Sequence, residues 1–110
     1  MTASLIPLSI AGQLNSAVGI LTTPQTAICQ IGSAVFTNTD TATHTVTVYV
    51  VRSGGAAGPS NIVISAQVLA PGQAWVAAPL SGIVLNAGDV LAGFADAAAV
   101  VNFGCSGFSL

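Results

Sequence analysis

Apolar and polar residues alternate over the middle of the chain, in a stretch that reads THTVTVYVVRSGGAAGPSN from Thr43 to Asn61. Val46, Val48 and Val50 fall on one side of an extended backbone, and the residues between them fall on the other. Alternation of period two with β-branched side chains is typical of a strand that has one strongly apolar face. The glycine-rich stretch that follows cannot form a helix, so it predicts a long loop.

The same strand and turn signals recur along the rest of the chain. Predicted strands cover residues 17–23, 27–38, 44–52, 61–69, 73–80, 83–85, 90–95 and 99–108. Turn signals separate them at intervals of about 8–12 residues, which is typical of a β-sandwich or barrel. An alanine-rich stretch at 95–99 is too short for a helix between β-rich flanks. The sequence therefore predicts an all-β, single antiparallel β-sandwich of the jelly-roll or Ig-like type, with about eight strands.

Three local features add detail to this prediction. Apolar residues change parity near Gly32, which marks a candidate β-bulge. The Pro71-Gly72 pair suits positions i+1 and i+2 of a type II turn. Asn38 and Asp40 lie in a polar turn, where their side chains can bond the nearby backbone. The strand phase predicts a core that includes Val46, Val48, Val50, Ile62, Ile64 and Val68.

The first 16 residues are mostly apolar but have no clear strand period. Two interpretations stay open: residues 1–16 are an arm that lies across a neighbouring subunit, or they are an edge segment beside the domain formed by residues 17–110. Pro7, Gly12 and Pro24 are among the residues that interrupt the apolar runs, so we expect no membrane span there. The absence of a basic segment argues against a secretory signal and predicts maturation in the cytoplasm of the producing cell.

Charged side chains make up 4% of the 110 residues, against about 25% in ordinary globular proteins, whereas 53% of the residues are hydrophobic. The length fits one domain. Low net charge promotes association, and interfaces between identical subunits are more apolar than free surface. We therefore expect a homo-oligomer, with a trimer as the favoured form. A single arginine provides no basic patch, so neither nucleic acid nor an anionic membrane is expected as a partner.

The titratable side chains give no pattern that indicates catalysis or metal binding. They include Arg52, Asp40, Asp89, Asp96 and the only histidine, His44. A metal site requires several ligands, and none of these residues cluster by spacing. Asp40 and Asp89 lie in turn sequences, where aspartate commonly bonds the local backbone. We predict no catalytic residue, no cofactor and no metal site, and hence a protein that is not an enzyme.

Three other features have both a binding interpretation and a plainer one. The SGGAAG loop suggests a phosphate cradle, but a strand follows it and the chain has no lysine, so a contact loop is favoured. Trp75 and Tyr49 suit a sugar or base platform, although such residues more often anchor a core or an interface. Cys29 and Cys105 can form a disulfide if their strands meet, whereas maturation in the cytoplasm favours free buried thiols.

Four strand and turn motifs also occur in a known group of proteins. They are the strand end Thr22-Thr23-Pro24, the turn Asn38-Thr39, the strand and loop Thr45–Gly55, and the turn Leu85–Asp89. On these motifs, the chain from about Leu21 onward resembles small virion proteins of tailed bacteriophages. The resemblance implies an antiparallel β-sandwich that builds oligomers on a phage particle and has no active site. The chain departs from the group in having no lysine and no glutamate.

The function that this resemblance implies is structural. We expect a capsid decoration (cement) protein that stabilises the shell through contacts with the major capsid protein or other virion proteins. Its location is then the virion, after assembly in the host cytoplasm. A tail, fibre or baseplate subunit is the alternative within the same class. A carbohydrate-binding module that uses Trp75 and the loop at residues 53–60 is the alternative from another class.

Overall fold

The computed structural model describes residues 6–22 and 28–109, and within these ranges it contains two antiparallel sheets. Their strands are β1 (Ile6–Gln13), β2 (Gly19–Thr22), β3 (Ile28–Asn38), β4 (His44–Val51), β5 (Ile62–Leu69), β6 (Ala74–Val76), β7 (Val84–Asn86), β8 (Val90–Ala95) and β9 (Val101–Ser109). Single 3₁₀ turns lie at Pro59–Asn61 and Ala78–Leu80, and no α-helix occurs in the described ranges. The predicted all-β antiparallel sandwich is confirmed.

The chain passes back and forth between the two sheets. The first sheet has the order β1-β9-β3, and β6 and β7 both pair with β3 on its other side. The second sheet has the order β2-β8-β4-β5. Strands β1 to β4 alternate between the sheets, so each sheet is assembled from distant parts of the chain. The first and last strands lie side by side as a result.

Buried apolar side chains from both sheets fill the space between them. Val46, Val48 and Val50 of β4 lie inside, as their alternation predicts, and so does Ile64 of β5. Phe36 of β3 is fully buried in the same cluster. The period-two pattern in the middle of the chain therefore identifies the inner face of β4 correctly.

The predicted core is wrong along part of β5. Val68 is 56% exposed, Ile62 is only half-buried, and Leu69 is buried in place of Val68. The register between β4 and β5 shifts in two places, and Ala66 at one of them has a φ of 47°. An extra residue turns the side chains beyond it to the opposite face, so a regular alternation misplaces Val68 and Ile62.

A bulge in β3 lies where the sequence predicts it. The register between β3 and β9 shifts just after Ile31, at Gly32. Cys29 and Ile31 are buried before this shift, and Ala34 and Phe36 are buried after it. The extra residue reconciles the two parities of apolar positions, which confirms the expected bulge.

The described part of the N-terminal segment is an edge strand. β1 pairs with β9 over all eight of its residues. Leu14, which follows β1, is buried and donates its backbone N–H to the carbonyl oxygen of Val101 at 2.9 Å. Of the two interpretations of this segment, the structure has the edge strand. Residues 1–5 and the predicted strand end at Thr23-Pro24 lie outside the described residues.

The Pro71-Gly72 turn has the predicted geometry. Gly72 has a φ of 74°, which glycine adopts without steric cost, and the N–H of Gln73 donates to the carbonyl oxygen of Ala70 at 3.0 Å. These are the features of a type II turn. The alanine-rich stretch after β8 forms turns and no helix, as expected.

Substitution of Val48 by aspartate should cost about 3 kcal/mol or more of unfolding free energy, because it buries an unpaired carboxylate. The matched control is Val76→Asp, at a position on β6 that is 63% exposed, where the change should stay within about 1 kcal/mol. Urea unfolding followed by far-UV circular dichroism measures both. A Val48→Asp variant as stable as the control would show that the assigned inner face of β4 is incorrect.

Gly107 and Gly104 on β9 provide a second matched pair. A Cβ atom at Gly107 would overlap the carbonyl oxygen of Gln30 and lie 2.8 Å from the backbone nitrogen of Gly32, whereas a Cβ atom at Gly104 meets nothing within 4 Å. Gly107→Ala should therefore cost about 1–3 kcal/mol or more through overpacking at the bulge. Gly104→Ala should change stability by about 0.5 kcal/mol or less. Equal melting temperatures for the two variants would contradict the close approach of β9 to β3.

Candidate functional site

The charged side chains form two clusters at opposite ends of the β4–β8 pair. β4 and β8 are antiparallel neighbours, so residues that flank the two strands meet at the ends of the ladder. Arg52 follows β4 and meets Asp89, which precedes β8. His44 begins β4 and meets Asp96, which follows β8. The strand pairing alone thus brings together residues that are far apart in the sequence.

The first cluster, which we call the arginine end, consists of Arg52 and Asp89. Arg52 Nη1 donates to Asp89 Oδ2 at 2.8 Å and to the carbonyl oxygen of Val84 at 2.8 Å. The backbone N–H groups of Ser53 and Asn86 donate to the same carboxylate, both at 2.9 Å. The bonds from Asn86 and then from Arg52 are the main causes that lower the pKa of Asp89. This carboxylate ties the loop after β4 to the β7–β8 turn, and its bond to Asn86 is the local turn bond expected there.

The second cluster, which we call the acidic end, consists of Asp40, His44 and Asp96. His44 Nε2 lies 2.8 Å from Asp40 Oδ2, and His44 Nδ1 lies 2.8 Å from Asp96 Oδ1. Ionised carboxylates only accept hydrogen bonds, so both bonds form together when both ring nitrogens carry protons, as in the imidazolium form of His44. The bond to Asp40 is the main cause that raises the pKa of His44, and Asp96 adds to it. The same bond lowers the pKa of Asp40.

A buried amide extends the acidic end into the protein. The side chain of Asn38 is fully buried, and its Nδ2 donates to the carbonyl oxygens of Ala42 at 2.8 Å and Leu69 at 3.1 Å. Its Oδ1 accepts the backbone N–H of Asp40 at 2.9 Å, and Asp40 Oδ1 accepts that of Thr41 at 2.8 Å. The predicted bonding of Asn38 and Asp40 to the turn backbone is confirmed.

The two clusters have the geometry of ion bridges. A general base needs a ring nitrogen that can accept a proton, and both nitrogens of His44 are engaged with carboxylates. Among the described residues, no group of three His, Cys, Asp or Glu side chains is arranged to hold a metal ion. In the same residues, every buried side-chain nitrogen or oxygen has a hydrogen-bond partner.

Trp75 and Tyr49 lie on different sheets and form no shared platform. Trp75 in β6 packs against the core, with its ring centroid 6.2 Å from that of Phe36. Tyr49 in β4 stacks on Phe94 at a centroid distance of 6.4 Å. The loop at residues 53–60 follows the arginine end. Trp75 pairs with Phe36 in β3, close to Asn38 at the opposite end of the sandwich. The combined surface expected for a carbohydrate-binding module is therefore not assembled.

Cys29 and Cys105 are free and buried. In the β3–β9 ladder, Cys29 lies opposite Ser109 and Cys105 lies opposite Ala34, so the two cysteines do not face each other across the strands. Burial raises the pKa of both thiols, to about 11 for Cys105. Thiols of this kind stay protonated and unreactive at neutral pH.

The outer surface of the second sheet is apolar between the two charged ends. The pairings Ile20↔Ala92, Ala92↔Tyr49 and Tyr49↔Ile62 place four side chains in one row across all four strands. We call the surface defined by Ile20, Thr45, Thr47, Tyr49, Ile62, Val68, Ala92 and Phe94 the second outer face. Ile20 is its most exposed large apolar residue, at 69%. This face carries no charged side chain.

The outer surface of the first sheet is also uncharged but more polar. Gln30 lies in register between Phe108 and Val84, and Ser33 lies opposite Ser106. A shallow depression of about 370 Å³ beside the β1–β9 pair is lined by Gly12, Gln13, Asn102 and Phe103. These residues supply amide groups and apolar atoms but no nucleophile or charge.

Comparison with known proteins adds no relative to this description. No protein-family model, curated protein or solved structure matches the chain. Within the described residues, no helix is long and apolar enough to cross a membrane. The charged ends and the uncharged faces are therefore the features of this chain that bear on its function.

The stability of the protein should fall at alkaline pH because of His44. A histidine whose pKa is raised in the folded state contributes stability that is fully present below its unfolded pKa of about 6.5 and is lost as the pH rises through the folded pKa. The melting temperature should therefore decline as the pH rises above about 6.5 in the native protein, and less so in a His44→Gln variant.

The raised pKa of His44 can be measured directly, because the chain contains one histidine. The ring C–H signal of His44 can be followed by NMR across the titration without assignment. A midpoint above the ordinary histidine value is expected. A midpoint at or below that value would contradict the double carboxylate contact.

Proposed function

We propose that the chain is a structural virion protein of a tailed bacteriophage, and specifically a capsid decoration (cement) protein that stabilises the shell through protein–protein contacts. The observation that carries this proposal is the distribution of charge. Both outer faces are uncharged, while Arg52, His44 and the three aspartates lie at the two ends of the sandwich. The motifs that the sequence shares with small virion proteins support the same role.

Uncharged faces suit a protein that braces a shell. Contacts between apolar and neutral groups are not screened by salt, unlike ion pairs between exposed charges. Each Å² of apolar surface removed from water contributes roughly 25 cal/mol before the costs of association. Ile20, Val76 and Phe108 are all more than half exposed and supply such surface on both sheets. Each contact of this kind stabilises the shell only modestly, but their free energies sum over the many copies in a shell.

We assign these contacts to the sheet faces and not to a free N-terminal arm. β1 is already hydrogen-bonded to β9 along its whole length, so residues 6–13 belong to the sandwich itself. Self-association places several copies of each face side by side, which raises the effective concentration of every further contact. The proposed partners are therefore other copies of this chain and the major capsid protein or other virion proteins.

The carbohydrate-binding alternative has less support. Trp75 packs against the core, and the loop at residues 53–60 lies at the other end of the sandwich. An enzymatic role has no supporting geometry either, because His44 and Asp89 are engaged in ion bridges. A glycan array probed with the intact protein should give no specific hits.

The test compares particles produced with and without this gene in the phage that encodes it. Low-resolution electron microscopy should show added density over the capsid shell only when the chain is present. Particles that lack it should release their genome at a lower temperature, because the shell loses its additional contacts.

Three results would contradict parts of the proposal. Particles of identical appearance and heat resistance, without the chain, would overturn a virion role. Density confined to the tail would replace the cement role with that of a tail, fibre or baseplate subunit. Specific hits on the glycan array would favour the binding module.

A further inference from the structure

The two ends of the sandwich expose charge of opposite sign. At the arginine end, the side chain of Arg52 is 60% exposed, while that of Asp89 is only 5% exposed. At the acidic end, the side chains of Asp40 and Asp96 are 40% and 44% exposed, while that of His44 is only 12% exposed. An approaching molecule therefore meets a guanidinium at one end and two carboxylates at the other.

The second outer face separates these charges and is itself uncharged. β4 runs from one end to the other over eight residues, which corresponds to roughly 25 Å at about 3.3 Å per residue. The row of Ile20, Ala92, Tyr49 and Ile62 crosses the sheet between the ends; Ile20 is exposed, Tyr49 and Ile62 are half-buried and Ala92 is buried. The face thus has an apolar middle with a positive terminus and a negative terminus.

We propose that the second outer face binds a second copy of this chain, in a two-fold contact that sets the β4 strands of the two copies antiparallel. Arg52 of each copy then lies near Asp40 and Asp96 of the other. The inference deepens the proposed structural role, since it names a partner and an orientation for one face of the subunit.

Symmetry and charge together select this orientation. Two identical sheet faces related by a two-fold axis can stack with their β4 strands either parallel or antiparallel. The parallel arrangement brings guanidinium against guanidinium and carboxylates against carboxylates, which is unfavourable. The antiparallel arrangement pairs opposite charges at both ends of the contact, because each copy supplies one of each.

The size of the face sets the expected strength. The four strands of this sheet contain 4, 6, 8 and 8 residues, which at about 4.8 Å spacing and about 3.3 Å rise give roughly 400 Å² in projection. A standard interface buries about 800 Å² per partner, so this contact falls at the small end of specific interfaces. A dimer with a dissociation constant in the micromolar range is therefore expected, as suits a contact that is reinforced in a larger assembly.

Sedimentation velocity on the intact protein at micromolar concentration tests the contact. The informative variant is Ile20→Lys, which places a charge in the apolar row at a position that is 69% exposed, so folding should be retained. It should weaken dimerisation by about tenfold or more, since a desolvated lysine would lie between two apolar faces. Val76→Lys, 63% exposed on the first sheet, is the matched control and should alter dimerisation by about twofold or less.

The orientation has its own test. Arg52→Gln and Asp96→Asn should each weaken the dimer by about two- to fivefold at low salt, and each should reduce its dependence on salt. Ile20→Asp should act like Ile20→Lys, because loss of the apolar contact is the common cause. Thermal melts of every variant establish that the monomer remains folded.

The results separate this inference from the proposed function. The contact is supported if Ile20→Lys and Ile20→Asp disrupt the dimer and Val76→Lys does not. A protein that stays monomeric at about 100 μM, or that associates equally well with either substitution at Ile20, overturns it. If Arg52→Gln and Asp96→Asn leave the dimer affinity unchanged at low salt, the antiparallel orientation is wrong. The trimer favoured on composition would also overturn the two-fold contact, yet it would leave the proposed virion role to be decided by the particles.

Discussion

The antiparallel register between β4 and β8 determines most of what is distinctive in this molecule. It sets the inner valines of β4 opposite residues of β8 that point into the core, and it brings both ion clusters together at its ends. Gly93 of β8 helps to fix this register, because a Cβ atom there would lie 2.7 Å from the carbonyl oxygen of Thr47. A slip of one residue would break both ion clusters and expose the valines, so packing and electrostatics favour the same alignment.

Sequence patterns predict the strands well where apolar and polar residues alternate regularly. They also do so where a change in the parity of the apolar residues marks an interruption. The parity change around Gly32 gives a correct bulge because apolar residues on both sides of it must face one core. The shift at Ala66 carries no such signal, since alanine is neither a turn former nor a residue that favours a positive φ. A regular alternation therefore predicts Val68 inside, whereas the shifted register turns it outward.

The long-range ion pairs escape sequence reasoning for a different reason. His44 and Asp96 are 52 positions apart, and Arg52 and Asp89 are 37 apart, so no local spacing connects them. A single additional piece of information, that β4 pairs with β8, would have been enough to place both pairs.

The scarcity of charge and its position at the ends have one physical explanation. A charged side chain in the middle of a sheet face that is covered in an assembly would lose its hydration without a partner, at a cost of several kcal/mol. At the ends, each charge already has a counter-charge within its own chain, and the exposed member remains in contact with water. Such groups can orient neighbouring subunits without being buried, because electrostatic attraction acts over roughly 8 Å at physiological salt. In the proposed assembly, the apolar faces supply the strength of association and the charged ends supply its direction.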